Sequence, residues 1–288
     1  MNEMAEKVFL NDDLVDLEEA RVSVTDSGFL YGAGLFETMR SRNGVVFRLE
    51  DHLERLFSSA RALSIPHPYE KGHLREAIGK VLQANQLADA RLRLTLTKGP
   101  LTTPQEQRRP TLLVTATEFR PYPAEYYQTG VLATLCPFRQ NAADPTCGHK
   151  TTSYYPRLLA LDMAHQKRAA EALWFTTDNR LAEGCVSNIF LVKSSILYTP
   201  LLETPVLAGI ARRTVRQLAR QQSVELMEKD LYISDVIEAD EVFLTNVIME
   251  VLPVIDVERH TVGDGKVGPV TKRLREGFRQ AIEQECRK

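Results

Sequence analysis

Apolar and polar residues alternate along this chain with two different periods. Spacing of three and four residues predicts helices near residues 53–63, 74–82, 158–170, 210–221 and 270–282. Two-residue alternation and short β-rich runs predict strands near residues 8–10, 14–16, 91–97, 111–117, 173–176, 188–192, 196–198 and 242–244. Because these helices and strands are mixed without regular βαβ alternation, the pattern favours an α+β fold over a doubly wound sheet.

The pattern breaks near the middle of the chain. Residues 118–130 (EFRPYPAEYYQTG) interrupt both periods with two prolines and end on a glycine. We therefore predict an N-terminal α+β domain over residues 1–118, a linker over 119–130 and a larger C-terminal domain over 131–288. A chain of 288 residues is long enough for two modest hydrophobic cores.

Composition excludes several classes of protein. The 36 basic and 38 acidic residues nearly balance, which argues against general nucleic-acid binding. Apolar runs such as residues 187–192 are far shorter than the roughly 20 residues that cross a bilayer. The first residues lack the pattern of a signal peptide. The four cysteines are scattered without a CxxC pair, so we expect reduced thiols, no metal site and a soluble, cytoplasmic protein.

A run of glycines is the first candidate for chemistry. Gly28, Gly32 and Gly34 lie in the segment DSGFLYGAGLFETMR. Their spacing is not GxGxxG, and the chain contains no GxxxxGK[ST] motif, so nucleotide binding has little support. The run by itself is equally consistent with a turn between strands.

Lys150 is the second candidate. Most lysines are surface charges, but three hydroxyl residues and two tyrosines follow this one directly (TTSYY, residues 151–155), ahead of a predicted helix. A lysine that forms a Schiff base needs a partly desolvated site that lowers its pKa. The segment could provide such a site, although its spacing leaves a plain surface lysine open.

The most specific pattern lies within residues 183–212. EGCVSN at 183–188 is followed by LYT at 197–199 and LAGIAR at 207–212. This pattern resembles the signature of the class IV aminotransferases, which are fold-type IV enzymes that use pyridoxal 5′-phosphate. Three other segments resemble the same family in the family's order, so the likeness covers nearly the whole chain: YGAGLFETMR (31–40), FRLEDHLERL (47–56) and LTNVIMEVLPV (244–254).

The resemblance implies a fold, a cofactor and roles for several residues. The fold would have a small N-terminal α/β domain and a larger C-terminal domain with a pseudo-barrel sheet. Lys150 would form the Schiff base with pyridoxal phosphate and, when neutral, shuttle the substrate proton. Glu183 would face the pyridine nitrogen and keep it protonated. Tyr155, in preference to Tyr154, would donate a hydrogen bond to the phenolic oxygen of the ring.

The phosphate group would need several donors, and the resemblance supplies them. Arg55 would offer its guanidinium group. The backbone N–H groups of Ile210 and Ala211 would open a helix toward the anion. Asn246 and Val247 would close the site from a late turn. Relatives often have serine or threonine where Val247 stands, so here only the backbone N–H of that residue would contribute.

Three activities share this framework in the family. We expect transfer of an amino group between an amino acid and a 2-oxo acid, as in branched-chain and D-amino-acid aminotransferases. 4-Amino-4-deoxychorismate lyase, which eliminates pyruvate to give 4-aminobenzoate, is the alternative, and a non-catalytic pyridoxal-phosphate-binding protein is a third. Thr38 bears on this choice and is a candidate catalytic residue. Branched-chain enzymes usually carry glycine there, lyases commonly keep threonine, and a hydroxyl could relay a proton.

Substrate contacts are the least determined part of this interpretation. The candidates are Tyr31, Phe36, Arg40 and Lys98, with Arg93, Arg108 and Arg109 as further possible partners of a carboxylate. Residues 98–109 form a predicted substrate-facing loop. The resemblance also implies a homodimer in which a loop of the partner completes each substrate pocket.

Overall fold

The computed structural model describes residues 6–104 and 107–287, and the chain divides into two compact units. The first unit comprises the described parts of Met1–Arg120 and Ile282–Lys288, together with the short segment His149–Tyr154. The second unit comprises Pro121–Gly148 and Tyr155–Ala281. The first unit therefore takes in two later segments of the chain, and the limits drawn from the sequence at 118 and 130 stay a prediction.

The first unit is built on a six-stranded antiparallel sheet. The strands are β1 (Lys7–Leu10), β2 (Asp13–Asp16), β3 (Gly34–Arg42), β4 (Val45–Val46), β5 (Ala90–Thr97) and β6 (Leu112–Glu118), in the order β2-β1-β6-β5-β3-β4. β1 and β2 form a hairpin at the predicted turn, where Asn11 adopts a φ of 59°. Asparagine tolerates this left-handed conformation better than most residues.

Helices cover one face of this sheet. They are α2 (Leu49–Ala62) and α3 (Lys71–Ala84), whereas the short helix α1 (Ser27–Tyr31) precedes β3 in the chain. Leu92, Leu94 and Leu96 alternate along β5 and pack with Leu53 of α2 and Leu74 of α3 in one buried cluster. Each fully buried leucine contributes roughly 1.5–3 kcal/mol relative to an exposed one. The two-residue period therefore directs the intervening polar side chains, such as Arg93, to the other face.

The second unit is built on a nine-stranded mixed sheet. Its strands are β7 (Val131–Gln140), β8 (Glu171–Thr176), β9 (Leu181–Gly184), β10 (Asn188–Lys193), β11 (Ile196–Pro200), β12 (Leu226–Lys229), β13 (Glu241–Asn246), β14 (Glu250–Val257) and β15 (His260–Thr261). The order is β12-β11-β10-β13-β14-β7-β8-β9, and β15 pairs with β14. Only three residues, 185–187, join β9 to β10, although the two strands stand five places apart in this order. The sheet must therefore curl to bring them together, which agrees with the predicted pseudo-barrel and α+β class.

Five helices follow residue 120 in the chain: α4 (Ala124–Thr129), α5 (Tyr155–Gln166), α6 (Ile210–Gln221), α7 (Ile233–Ile237) and α8 (Pro269–Glu285), the last of which continues beyond Ala281, where the second unit ends. α4 lies inside the predicted linker, where Pro123 precedes the helix and Gly130, with a φ of 80°, ends it. α5 begins and ends several residues earlier than the apolar spacing predicts. Within residues 6–104 and 107–287, no helix is long and apolar enough to cross a membrane.

Candidate active site

Lys150 lies on a short segment that extends the sheet of the first unit beside β3. The Phe36 N–H donates to the Lys150 carbonyl at 2.9 Å, and the Thr152 N–H donates to the Gly34 carbonyl at 2.8 Å. The Thr152 hydroxyl also donates to the Gly32 carbonyl at 2.7 Å. These three bonds hold the backbone of Lys150 against the first residues of β3.

The glycine run makes this close approach possible. Gly32 has a φ of 66°, and a Cβ built on it would lie 3.0 Å from the Ser153 Cα. A Cβ on Gly34 would lie 3.0 Å from both the Leu96 carbonyl oxygen and the Thr152 Oγ1. Larger residues would therefore push the segment away. The run does more than turn the chain, because it leaves room for the segment that carries Lys150.

The side chain of Lys150 is half-buried among aromatic rings. Its Nζ lies 4.4 Å from the ring centroid of Phe36 and 5.6 Å from that of Tyr154. The two rings meet edge to face with centroids 5.2 Å apart. Aromatic faces attract a cation but shield it from water. Lys150 therefore occupies partly desolvated surroundings.

Arg55, on α2, belongs to a buried network of three side chains. Its Nε and Nη2 donate to the two carboxylate oxygens of Glu37 at 2.8 and 2.6 Å. His52 Nδ1 lies 2.7 Å from Glu37 Oε2. Burial raises the pKa of Glu37, but the Arg55 charge and the hydrogen bonds from His52 and Arg55 outweigh it and lower the pKa to about 2. Glu37 and His52 were not among the residues predicted from sequence. The available signal was a charged residue at an apolar position of β3.

The opposite face of β3 carries the predicted substrate-side residues. Phe36, Thr38 and Arg40 share this face because side chains alternate along a strand. Thr38 is half-buried and stands directly opposite Arg93 of β5. The guanidinium carbon of Arg93 lies 3.9 Å from the ring centroid of Phe36. Arg40 is buried, and its guanidinium stacks at the same distance over Phe119.

The other predicted substrate residues are less closely grouped. Tyr31 ends α1 and its side chain is 68% exposed. Lys98 is held by its backbone N–H, which donates to the Ala33 carbonyl at 2.9 Å. Arg108 donates to carbonyls of its own loop, those of Leu101 and Thr103. Residues 105 and 106 of the predicted loop 98–109 lie outside the described residues.

Glu183 is the penultimate residue of β9 in the second unit, and it is almost completely buried. Its carboxylate accepts hydrogen bonds from Arg157 Nη2 at 2.5 Å, the Leu207 N–H at 3.0 Å and Asn188 Nδ2 at 3.5 Å. An ionised carboxylate offers about four lone-pair sites. The three donors from the described residues therefore leave capacity for one more. Arg157 and Asn188 were not among the residues predicted from sequence.

The start of α6 forms the second polar element of this unit. Gly209 precedes the helix, and a Cβ on it would clash with the Asn188 Oδ1. Asn188 Nδ2 in turn donates to the Leu207 carbonyl at 2.9 Å. The first N–H groups of a helix, here those of Ile210 and Ala211, have no partner within the helix. Together with the helix dipole, they form a site suited to an anion.

A tight turn follows β13. The Asn246 Oδ1 accepts from the N–H groups of Ile248 and Met249 at 2.8 Å each, and its Nδ2 donates to the Val186 carbonyl at 3.0 Å. Val247 buries its side chain. Asn246 thus holds the turn and connects it to residues 183–188.

Tyr155, which the sequence proposed as a partner of the phenolic oxygen, is the first residue of α5, and 72% of it is exposed.

A second buried carboxyl group, that of Glu171, contacts the loop between β9 and β10. Glu171 accepts hydrogen bonds from the Ser187 hydroxyl at 2.5 Å and the Val186 N–H at 3.1 Å. A Cβ on Gly184 would lie only 2.2 Å from its carboxylate. Burial raises the pKa of Glu171 to about 7, although these hydrogen bonds act in the opposite direction. Glu171 shapes the loop between Glu183 and β10, and sequence reasoning did not single it out.

The chain belongs to the family described as amino-transferase class IV, whose model matches residues 34–257. The chain is therefore an enzyme of this family, as its sequence motifs predicted. Class IV aminotransferases use pyridoxal 5′-phosphate. Within residues 6–104 and 107–287, no cluster of three or more His, Cys, Asp and Glu side chains forms a metal site.

Known relatives match over almost the full length. The chain is 30% identical to a D-alanine aminotransferase of Listeria monocytogenes, over 97% of each chain. A branched-chain amino acid aminotransferase of Escherichia coli superposes with a TM-score of 0.92 at 29% identity, covering 98% and 96% of the two chains. A 4-amino-4-deoxychorismate lyase from Pseudomonas aeruginosa has a TM-score of 0.84 at 29% identity, over 95% and 98%.

The polar groups of this chain fit the family's cofactor. A phosphate dianion suits a guanidinium group such as that of Arg55 and a helix start such as that of α6. A protonated ring nitrogen suits the remaining acceptor capacity of Glu183. An aldehyde suits a partly desolvated amine such as that of Lys150.

Proposed function

We propose that this protein is a pyridoxal-phosphate-dependent aminotransferase that moves an amino group between an amino acid and a 2-oxo acid through Lys150. The observation that carries the proposal is the placement of Lys150. Its backbone is bonded to β3, and its amine lies against Phe36 and Tyr154. The family match over residues 34–257 supports the same conclusion.

Lys150 would bind the cofactor and then move a proton. When bound, pyridoxal phosphate withdraws electrons from the substrate Cα and so makes the proton on that carbon acidic. The Lys150 amine would take this proton and deliver it to C4′ of the cofactor, which requires the amine to be neutral. The rings of Phe36 and Tyr154 limit access of water to the amine.

Glu183 would accept a hydrogen bond from the protonated ring nitrogen. Arg157, Leu207 and Asn188 hold its carboxylate in place, so the acceptor is oriented in advance. Such a carboxylate favours the protonated ring, which is the better electron sink. Tyr155 would donate to the phenolic oxygen of the ring.

The phosphate group would be held by charge and by backbone donors. Arg55 would supply the guanidinium group. Ile210 and Ala211 would supply N–H groups at the start of α6, where the helix dipole favours an anion. Asn246, which holds its turn, would place the backbone of Val247 as a further donor.

Arg93 is our candidate for the carboxylate of the substrate. It lies against the Phe36 ring and opposite Thr38, on the face of β3 that also carries Arg40. A guanidinium group can bind a carboxylate through two parallel hydrogen bonds. Arg40 is buried against Phe119, which leaves Arg93 as the better placed of the two.

The test starts from the purified full-length chain mixed with pyridoxal phosphate. We expect a visible absorption band. Reduction with borohydride should attach the cofactor permanently to Lys150, which mass spectrometry detects as a mass increase of the peptide that contains this residue. The Lys150→Ala variant should lose both signals, whereas Lys167→Ala, which removes an exposed lysine, should keep them. A wild-type chain that stays colourless would contradict the proposal. Formation of 2-oxo acid from D-alanine or from branched-chain amino acids would then assign the amino donor.

The lyase is a second candidate because of Thr38. Its half-buried hydroxyl lies on the same face of β3 as Phe36, and the lyase from Pseudomonas aeruginosa resembles the chain over nearly its full length. Pyruvate released from aminodeoxychorismate without a 2-oxo acid acceptor would favour elimination. Amino transfer that requires an acceptor would favour the aminotransferase. A chain that binds pyridoxal phosphate but does neither would be a binding protein without catalysis.

We also propose that the chain acts as a homodimer. The first unit exposes large apolar side chains close together in sequence, among them Val24, Phe29 and Tyr31. Contiguous exposed apolar surface commonly marks a protein interface. Sedimentation at assay concentration should give twice the mass of the chain, 32.5 kDa. A fully active monomer would contradict this part of the proposal.

A further inference from the structure

Glu37 is a charged residue on the apolar face of β3. Its neighbours on that face, Leu35 and Met39, belong to the hydrophobic core of the first unit. A buried carboxylate is costly unless it is paired and hydrogen-bonded. Glu37 is paired twice, with Arg55 and with His52. Its position therefore needs an explanation beyond packing.

The geometry of the Arg55 pair is specific. Glu37 takes both Nε and Nη2 of the guanidinium group, at 2.8 and 2.6 Å. Two parallel hydrogen bonds fix the plane of a guanidinium group as well as its position. Arg55 is also largely buried, with 11% of its side chain exposed. The direction of its remaining N–H bonds is therefore set by Glu37.

His52 completes the network in its neutral form. Burial lowers the pKa of His52, against a hydrogen bond to Glu37 that raises it. A neutral ring with its proton on Nδ1 donates to the Glu37 carboxylate. The Nε2 atom is buried and has no hydrogen-bond partner among the described residues. The network thus combines one cation, one anion and one neutral ring.

The same strand also holds the segment of Lys150. Phe36, which precedes Glu37, donates its N–H to the Lys150 carbonyl. Two adjacent residues of β3 therefore make these contacts: Phe36 bonds to the backbone of Lys150, and Glu37 bonds to the guanidinium group of Arg55. The Lys150 segment and the Arg55 guanidinium group are therefore held by neighbouring residues of one strand.

We propose that Glu37, oriented by His52, is a positioning residue that holds Arg55 in the conformation that binds the cofactor phosphate. This inference rests on the proposed function, in which Arg55 is a phosphate ligand. A guanidinium group held in advance loses little conformational entropy when the anion binds. Glu37 should therefore strengthen binding of the phosphate group while leaving binding of the ring unchanged.

The test compares two ligands that differ only in the phosphate. Pyridoxal phosphate and pyridoxal are titrated into the full-length chain, and the visible band gives both dissociation constants. Glu37→Gln should weaken pyridoxal phosphate binding roughly 10- to 100-fold, as expected for a charge-assisted hydrogen bond. Pyridoxal binding should change less than about threefold. General destabilisation would weaken binding of both ligands alike. The contribution of the phosphate group is therefore given by the ratio of the pyridoxal dissociation constant to the pyridoxal phosphate dissociation constant, and this ratio falls when the phosphate is held less well.

A double-mutant cycle tests whether Glu37 acts through Arg55. In an Arg55→Gln background, Glu37→Gln should not change the ratio further, because non-additive effects mark residues that act together. Glu50→Gln removes an exposed carboxylate of the same helix α2 as Arg55 and should leave the ratio at its wild-type value. An unchanged ratio in Glu37→Gln would overturn the inference alone. A wild-type chain that binds neither ligand would overturn the proposed function as well.

If Glu37→Gln does not fold, two variants of His52 test the positioning of Arg55 instead. Asparagine carries its amide nitrogen near the position of Nδ1, so His52→Asn should keep the wild-type ratio. His52→Leu removes the donor and should lower the ratio. Equal ratios in these two variants would contradict a positioning role for His52.

Discussion

Arg157 and Glu183 form a largely buried ion pair, with Nη2 of the arginine 2.5 Å from Oε1 of the glutamate. The same guanidinium donates to the Gly184 carbonyl at 3.0 Å. Arg157 therefore holds both the carboxylate and the backbone that follows it. A carboxylate with this support keeps its orientation, which a hydrogen-bond partner for a ring nitrogen requires.

Removing Arg157 should destabilise the protein. Arg157→Gln would leave the buried carboxylate of Glu183 without its main partner, which costs about 3–5 kcal/mol. Urea unfolding at neutral pH measures this loss. Lys193→Gln is the matched control, because its pair with Glu238 has the same 2.5 Å separation but is exposed. That control should change stability by less than about 1 kcal/mol. Equal losses in the two variants would contradict the prediction.

Glu171 should make stability depend on pH. Burial raises the pKa of this carboxyl to about 7 in the folded protein, above its ordinary value of 4.5. The folded state then binds more protons than the unfolded state between these two pKa values. The contribution of Glu171 to the free energy of unfolding is therefore fully present below pH 4.5 and is lost as pH rises through 7. The loss is on the order of 3 kcal/mol. Unfolding free energies at about pH 5 and about pH 8 should differ less in Glu171→Gln than in the wild type; an unchanged difference would refute this.

Arg93 should bind the carboxylate of a substrate. Arg93→Ala should raise KM for a dicarboxylic 2-oxo acid roughly tenfold or more, with a smaller change in kcat, because a charge-assisted hydrogen bond is lost. Arg91→Ala is the control. Arg91 lies two residues away on the same face of β5, opposite Arg40. A KM that responds to Arg91 and not to Arg93 would reassign the carboxylate site.

Gly32 should tolerate no side chain. Gly32→Ala forces a residue into a φ of 66° and brings its Cβ to 3.0 Å from the Ser153 Cα, so we expect a loss of about 1–3 kcal/mol. The Lys150 segment should move with Ser153, which weakens pyridoxal phosphate binding. Gly79→Ala, in α3 with open space around it, should instead stabilise by roughly 0.5–1 kcal/mol. A Gly32→Ala variant as stable as the wild type would contradict this explanation.

The spacing of apolar residues along the chain was sufficient to predict much of the fold. Helices α2, α3, α6 and α8 and strand β5 lie where apolar spacing predicts them, because each buries one face against a core. β7 was not predicted: its sequence, VLATLCPFRQ, does not alternate cleanly, and its two neighbours pair with it in parallel. β9 and β14 were missed as well. Parallel and short strands in a curled sheet are specified by distant partners, not by their own period.

The sequence by itself determined the family, since four motifs in order identify a class IV aminotransferase, and the match over residues 34–257 confirms it. It also singled out Lys150 and Glu183, whose roles stay proposals. Only the tertiary structure decided which side chains support the candidate ligands: Glu37 with Arg55, and Arg157 with Glu183. The partners in these pairs lie 18 and 26 residues apart. Charges separated by this much chain meet only when strands and helices pack, and no local pattern records that meeting.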